Sequence, residues 1–169
     1  MRVQNLSSDL SFVYTSLYPK RIRPSRTYAH NALLGLGGNI ADTVRRLERL
    51  YFFLQKSSFV SVVETSPILK NPPFGYVHQD DFYNAVIHIQ TNLTAMELLR
   101  YILRVEKKFG RKRSFANAPR TLDIDMIFYD DIIMNKKILT LPHPRWRGRD
   151  SVLLPMKEMK GIAWLKRHL

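Results

Sequence analysis

The chain contains no cysteine. Disulfides and thiolate metal sites are therefore excluded, and any metal must be held by carboxylates or histidines. No apolar run approaches the ~20 residues of a membrane-spanning helix, so the expectation is a soluble, cytoplasmic protein without a membrane partner. Acidic residues are scarce: 14 stand against 27 basic ones, for a formal net charge of +13. Such a surface attracts polyanions, whether nucleic acid, acidic lipid or small phosphorylated ligands, and charge alone does not choose among them. No G-x-x-x-x-G-K-S/T run occurs, which removes the familiar P-loop. Gly35-Leu36-Gly37-Gly38-Asn39-Ile40 begins like G-x-G-x-x-G, but Ile40 occupies the last glycine position. It reads as a tight strand-to-helix turn and not as a dinucleotide fingerprint. Internal repeats and low-complexity tracts are also missing, and 169 residues suit one domain with a sizeable core.

What is present divides at residue 27. Arg2, Lys20, Arg21, Arg23 and Arg26 stand against Asp9 alone, so residues 1–27 supply +4 of the charge. Transit peptides share this Ser- and Arg-rich, acid-poor composition, but the plainer expectation is a basic N-terminal extension (1–27) ahead of a catalytic domain (28–169). In the latter, Ala32–Leu36 reads as a buried strand ended by Gly37-Gly38-Asn39. Val44, Leu47, Leu50 and Leu54 recur at helical spacing between Asp42 and about Lys56. Phe59–Glu64 reads as a second strand, residues 65–81 with Pro67, Pro72, Pro73 and Gly75 as a long loop, and Phe82–Gln90 as a third strand. Thr94 and Glu97 form a capping box that opens an amphipathic helix ended by Gly110. A basic loop over 111–120 leads to a fourth strand, Leu122–Tyr129. Ile132–Met134 and Ile138–Leu141 look like a short added hairpin. Strand, helix, strand, strand, helix, strand is the order of an α+β, ferredoxin-like split βαβ sandwich, an antiparallel sheet with both helices on one face and here a C-terminal hairpin.

The sharpest chemical feature is Arg120-Thr121-Leu122-Asp123-Ile124-Asp125. On a strand, residues i and i+2 share a face, so Asp123 and Asp125 project side by side with Cβ atoms ~7 Å apart. Two like charges that close repel unless a cation sits between them. Hard divalent cations take such oxygens, and magnesium completes its shell with water and substrate phosphate; two metals ~4 Å apart could be reached from this pair. Arg111, Lys112, Arg113 and Arg120 cluster just before it, and guanidinium forks suit phosphate oxygens. Cations at one edge of a polyphosphate and guanidiniums at the other are what phosphoryl transfer needs. His143, between Pro142 and Pro144, is held in restrained backbone and could donate to a phosphate. Arg145, Arg147 and Arg149 extend the positive surface.

Taken together, Leu36-Gly37-Gly38-Asn39, Glu64-Thr65-Ser66-Pro67, Asp81-Phe82-Tyr83-Asn84-Ala85, Gly110-Arg111, Pro119 to Asp125 and Leu141-Pro142-His143-Pro144 resemble the 6-hydroxymethyl-7,8-dihydropterin pyrophosphokinase family, in order and near-family spacing from about residue 31 to residue 159. The resemblance implies a diphosphotransferase that moves diphosphate from ATP to the pterin alcohol, releasing AMP, in tetrahydrofolate biosynthesis. It implies two Mg2+ ions on Asp123 and Asp125, and ATP phosphates held by Arg111 and Arg120 during transfer and contacted by His143 and Arg149. Leu103 and Glu106 match positions near the nucleotide. Thr65, Ser66 and Ile68 match the pterin-pocket segment, Phe82 the ring that stacks on the pterin, and Asn84 the amide at its edge, with Asp123 close to both substrates. The loops at 65–81 and 111–120 resemble the family's mobile lids.

The chain departs from that pattern in places. Asn117-Ala118 stands where the family usually has Trp-Gly, Ala116 where a basic residue is expected, and Ser151 near a second stacking aromatic, for which Trp146 is a candidate replacement. The rival reading is a ferredoxin-like RNA-binding module, favoured by the charge. Such sheets need exposed aromatics on central strands, and the strand at 122–129 offers two aspartates that repel a phosphate backbone. The expected partners are thus ATP and the pterin, with no specific nucleic acid, a monomeric state and no fused second enzyme.

Overall fold

The computed structural model of the protein describes residues 1–165 and 168. Its centre is an antiparallel sheet built mainly from β4 (His30–Gly38), β5 (Val60–Thr65), β6 (Ile68–Asn71), β7 (Phe82–Thr91) and β8 (Asp123–Tyr129). β7 pairs along one side with β4, and β4 pairs in turn with β8. The other side of β7 is shared by two consecutive strands, β5 against its C-terminal half and β6 against its N-terminal end. The fold is therefore α+β with a mostly antiparallel sheet, and among the described residues no helix is long and apolar enough to cross a membrane.

Strand alternation sorts the sheet into two faces. Ala32, Leu34 and Leu36 of β4, Ala85, Ile87 and Ile89 of β7, and Ile124 and Met126 of β8 enter one core. α1 (Thr43–Gln55) and α2 (Ala95–Lys108) cover that face with Leu47, Leu50, Leu54, Leu98, Ile102 and Val105. Asp42 caps α1 by accepting from the Arg45 N–H, and Thr94 with Glu97 closes the reciprocal capping box of α2. The alternate residues, Leu33, Val86, Ile127 and Phe128, meet a second cluster on the opposite face.

That second cluster is completed by α3 (Asp150–Lys157), whose Val152 and Met156 are buried against it. The two expected helices, α1 and α2, share a face, and a third, α3, which was not expected, lies on the other. Eight residues with Pro155 inside the helix carry too little periodicity to announce it. β6 is likewise a strand inside the stretch read as continuous loop, and β4 runs on through Gly37 and Gly38. β9 (Met134–Lys136) and β10 (Leu139–Leu141) pair as a separate two-stranded unit.

Residues 1–27 join the same sheet. β1 (Arg2–Asn5) pairs with β2 (Ser11–Tyr14), β2 pairs with β6, and β3 (Lys20–Arg21) pairs with β5. Phe12, Val13, Leu17 and Tyr18 are buried, and the Tyr18 hydroxyl donates to the Leu47 carbonyl of α1 at 3.1 Å. Burying two aromatic and two aliphatic side chains at ~25 cal/mol per Å2 ties this segment to the domain.

Candidate active site

On the face away from α1 and α2, the register sets the catalytic candidates in a row. Gly37 of β4 lies between Asp123 of β8 and Asn84 of β7, and Gly35 lies beside Asp125. The glycines carry no side chain, so the carboxylates and the amide overlook an open floor. A cavity of about 830 Å3 occupies it, lined among others by Gly35, Gly37, Asn71, Phe74, Phe82, Asn84, Arg120, Asp123, Asp125 and Arg149. Six of the residues singled out from sequence thus share one cavity wall: Phe82, Asn84, Arg120, Asp123, Asp125 and Arg149.

Asp123 and Asp125 project to this same face, and each is matched by its own cations. Arg111 Nη2 lies 3.4 Å and Arg120 Nε 3.2 Å from Asp123. Arg149 donates to Asp125 at 3.0 Å, with His143 Nε2 at 3.9 Å from the same oxygen. Burial holds the His143 imidazole below its ordinary value, against the pull of Asp125 and with help from Arg149 and Arg145. Its Nδ1 accepts from the Arg145 N–H at 3.2 Å, so the neutral ring carries its proton on Nε2, the nitrogen nearer the carboxylate.

Several of these cations have spare donors. Nε and Nη1 of Arg111 are buried and make no hydrogen bond, and the buried Nε of Arg120 has only its 3.2 Å ion pair with Asp123. A buried guanidinium donor without an acceptor is costly, and oxygens of a polyanion would satisfy both residues. The Arg120 guanidinium also lies 4.8 Å from the Phe82 ring centroid, over one aromatic face of the cavity. Arg111 and Arg120 border a smaller pocket of about 310 Å3 formed by the 111–120 loop.

The carboxylate pair suits a hard divalent cation. Among the described residues no group of three or more His, Cys, Asp or Glu could form a complete cage. Two carboxylates on one strand are the share a protein supplies where magnesium is completed by phosphate and water.

Other residues singled out from sequence are placed differently. Glu106 is buried on α2, where its carboxylate accepts from the Ile124 N–H at 2.7 Å and stands 3.5 Å from Arg113. Burial pushes its carboxyl up, while the Ile124 bond opposes this. It fixes the strand segment between the two aspartates and does not line the cavity. Leu103 is exposed on the same helix, away from the cavity wall. Thr65, Ser66 and Ile68 are buried and their side chains are engaged elsewhere. Thr65 donates to the Leu17 carbonyl, Ser66 to the Pro67 carbonyl, and Ile68 joins the helix-side core. Trp146 packs on Phe128 at 5.0 Å in the opposite cluster and is no substitute stacking ring.

The cavity also contains residues that sequence reasoning missed. Asn71 accepts from Asn84 Nδ2 at 2.7 Å and so orients that amide. Phe74, 87% exposed, supplies a second ring to the cavity, and Leu10 reaches it from the N-terminal segment. Gly35 and Gly37 could have been found from their alternation with Leu34 and Leu36, which marks a strand face cleared of side chains.

Asn39 joins three stretches around the cavity. It exchanges backbone and side-chain bonds with Arg120, accepting from the Arg120 N–H at 2.9 Å and donating its own N–H to the Arg120 carbonyl at 3.0 Å. Its Nδ2 donates to Gln79 Oε1 at 2.8 Å and to the Asp80 carbonyl at 3.0 Å. Gln79 then donates to the Asn117 carbonyl at 2.9 Å, and Tyr76 meets Phe115 at 5.3 Å between ring centroids. Gly38 permits this closeness, since a Cβ there would lie 2.6 Å from the Thr121 carbonyl.

Comparison of the sequence with known proteins gives the family. The sequence model of the family described as 7,8-dihydro-6-hydroxymethylpterin-pyrophosphokinase (HPPK) matches residues 33–161. The chain is 39% identical over 145 residues to the 2-amino-4-hydroxy-6-hydroxymethyldihydropteridine pyrophosphokinase of Helicobacter pylori, covering 85% of this chain and 86% of the relative. The enzyme of the same name from Campylobacter jejuni is 39% identical over 145 residues, covering 86% of this chain and 92% of its own. That from Bacillus subtilis is 34% identical over 128 residues, covering 76% and 77%. With a family match over residues 33–161 and relatives this similar over most of their length, the chain belongs to the 7,8-dihydro-6-hydroxymethylpterin-pyrophosphokinase family, a pyrophosphokinase of folate biosynthesis.

Proposed function

We propose that the cavity between β8, β7 and the two loops is where diphosphate passes from ATP to 6-hydroxymethyl-7,8-dihydropterin. The observation that carries this reading is the pair Asp123 and Asp125 on one face, opening into the same cavity as Phe82 and Asn84 and flanked by Arg111, Arg120 and Arg149. Phosphate ligands and a flat heteroaromatic ligand can then meet over the Gly35–Gly37 floor.

Asp123 and Asp125 would hold two Mg2+ ions, which when bound draw charge from the polyphosphate and lower its repulsion toward an incoming oxygen. Arg111 and Arg120 would turn their unsatisfied donors to the phosphate oxygens as their partner Asp123 takes up a cation. Arg149 and the Nε2–H of His143 would act likewise beside Asp125. Phe82 would stack on the pterin and Asn84, oriented by Asn71, would bond its edge. The hydroxymethyl oxygen then forms a bond to the β-phosphorus as the bridge to the α-phosphate breaks, and AMP leaves. Most of the acceleration comes from position and fixed charge, since the protein makes no covalent bond. Glu106 acts through the register of β8, and Thr65, Ser66 and Ile68 shape the pocket from behind. The finer architectural reading is a ferredoxin-like core, β4-α1-β5-β7-α2-β8, with β9–β10 as its added hairpin. The protein acts as a cytoplasmic monomer without a nucleic-acid partner, its catalytic residues all lying within 28–169.

Incubation with ATP, Mg2+ and 6-hydroxymethyl-7,8-dihydropterin, followed by nucleotide chromatography, tests the reading. AMP should accumulate in step with the pterin diphosphate; ADP in its place, or turnover without pterin, would overturn it.

A further inference from the structure

The segment before residue 33 lies outside the stretch matched by the family model, yet Leu10 lines the cavity together with Asn71, Pro72, Phe74 and Phe82. We propose that the N-terminal hairpin is part of the substrate-binding apparatus and that Leu10 is a specificity-determining wall against the pterin. This rests on the reading of the cavity as the pterin site.

The hairpin presents Leu10 from a built turn. The Leu6 and Ser7 N–H groups donate to the Leu10 carbonyl at 2.9 and 3.2 Å, and the Leu10 N–H donates to Ser7 Oγ at 3.1 Å. Immediately after it, Ser11, Phe12 and Val13 pair with Lys70, Leu69 and Ile68. Phe12 and Val13 are 4% and 3% exposed, so the strand that carries Leu10 is anchored in the core. On the far edge of the hairpin, the Arg2 guanidinium covers the Tyr14 ring at 4.3 Å, and the Tyr14 hydroxyl donates to Gln4 at 3.0 Å. One strand further in, Asn71 pairs with Phe82 in register and holds Asn84.

β2 therefore does two things for the site. It gives β6 a second neighbour, which fixes the strand from which Asn71 orients the Asn84 amide. It also sets a half-buried branched aliphatic side chain at the cavity wall, where the expected ligand is flat and apolar on its faces. An aliphatic wall contributes by contact area and by excluding bulk. The ligand class it selects is a bicyclic pterin with no ring-edge group larger than hydroxymethyl over one bearing a bulkier substituent there.

The test compares Leu10→Ala, Leu10→Met and Phe82→Ala in the full chain, by steady-state kinetics and thermal unfolding. Leu10→Ala should raise KM for the pterin about fivefold, as expected for loss of most of a leucine contact, while KM for ATP does not follow. Leu10→Met should recover most of that loss, and Leu10→Ala should tolerate a bulkier ring-edge substituent better than the parent. If Phe82→Ala raises the pterin KM and Leu10→Ala does not, the Leu10 assignment is overturned and the cavity reading stands. If neither variant moves it, both fall. A Leu10→Ala variant in which both KM values rise together with a lowered Tm would make the residue merely structural and also overturn the proposal.

Discussion

Replacing Gly37 by alanine should weaken pterin binding while leaving the fold intact. A Cβ at this position would stand 2.6 Å from Asn84 Oδ1 and 3.7 Å from its Cγ. The amide must retreat by roughly an ångström to reach ordinary contact. It is not a loose side chain that can swing away, because Asn71 holds Nδ2 at 2.7 Å. The backbone gains from the change, since alanine in a strand interior is favoured over glycine by roughly 0.5–1 kcal/mol. The expected cost therefore falls on the ligand. One or two misplaced amide bonds at ~1 kcal/mol each amount to ~1–2 kcal/mol, or about a fivefold to thirtyfold rise in the pterin KM. Steady-state kinetics with each substrate varied in turn, alongside a thermal melt, reads this directly. An unchanged pterin KM in a stably folded Gly37→Ala protein would refute the placement of Asn84 at the pterin edge.

Asp123→Ala or Asp125→Ala should lower turnover by about two orders of magnitude or more with an unchanged far-UV spectrum; full activity in either would sink the metal assignment. Arg111→Ala and Arg120→Ala should reduce kcat more than nucleotide affinity, because donors kept for the transition state contribute little to ground-state binding; equal losses, by kinetics and by nucleotide titration, would argue for simple binding. Burial pushes His88 down to about 4, so between its ordinary value and that point the unfolded chain takes up a proton that the folded one refuses. Stability should fall by about 3 kcal/mol as pH drops from ~6.5 to ~4 on this account. Denaturant melts of His88→Gln should show a shallower fall than the parent, and identical slopes would be contrary to the argument.

The parts of the structure legible in the sequence are those with a strong local rule. Thr94 and Glu97 announced the start of α2 because a capping box needs only four residues of context. Asp123-Ile124-Asp125 placed two carboxylates on one face because the period of a strand is fixed. What escaped depends on partners distant in the chain. β6 is four residues long, and its identity comes from β7 on one side and β2 on the other. α3 is held by burial of Val152 and Met156 on the second face of the sheet, and eight residues with a proline give no helical signature. Leu10 and Asn71 have no motif of their own, and only the register of β2 on β6 and β6 on β7 brings them to the site. Thr65, Ser66 and Ile68 were legible by resemblance as a segment, but which way each side chain turns depends on Leu17 and Val86, far away in sequence. Trp146 was read as free to stack because sequence does not reveal the apolar layer that claims it.

Asn39 gives the surroundings of the cavity a particular economy of control. A single side-chain amide, itself buried, fastens the turn after β4, the segment around Gln79 and Asp80, and the chain at Arg120. Loosening any one of these by changing its own residues leaves the other two tethered. Removing the Asn39 side chain loosens all three together, leaving its backbone bond to Arg120 and the Gln79–Asn117 bond to bear the load, at a position that touches neither the carboxylates nor the ring. The two loops thus share their anchorage: Gln79 bonds both Asn39 and the Asn117 carbonyl.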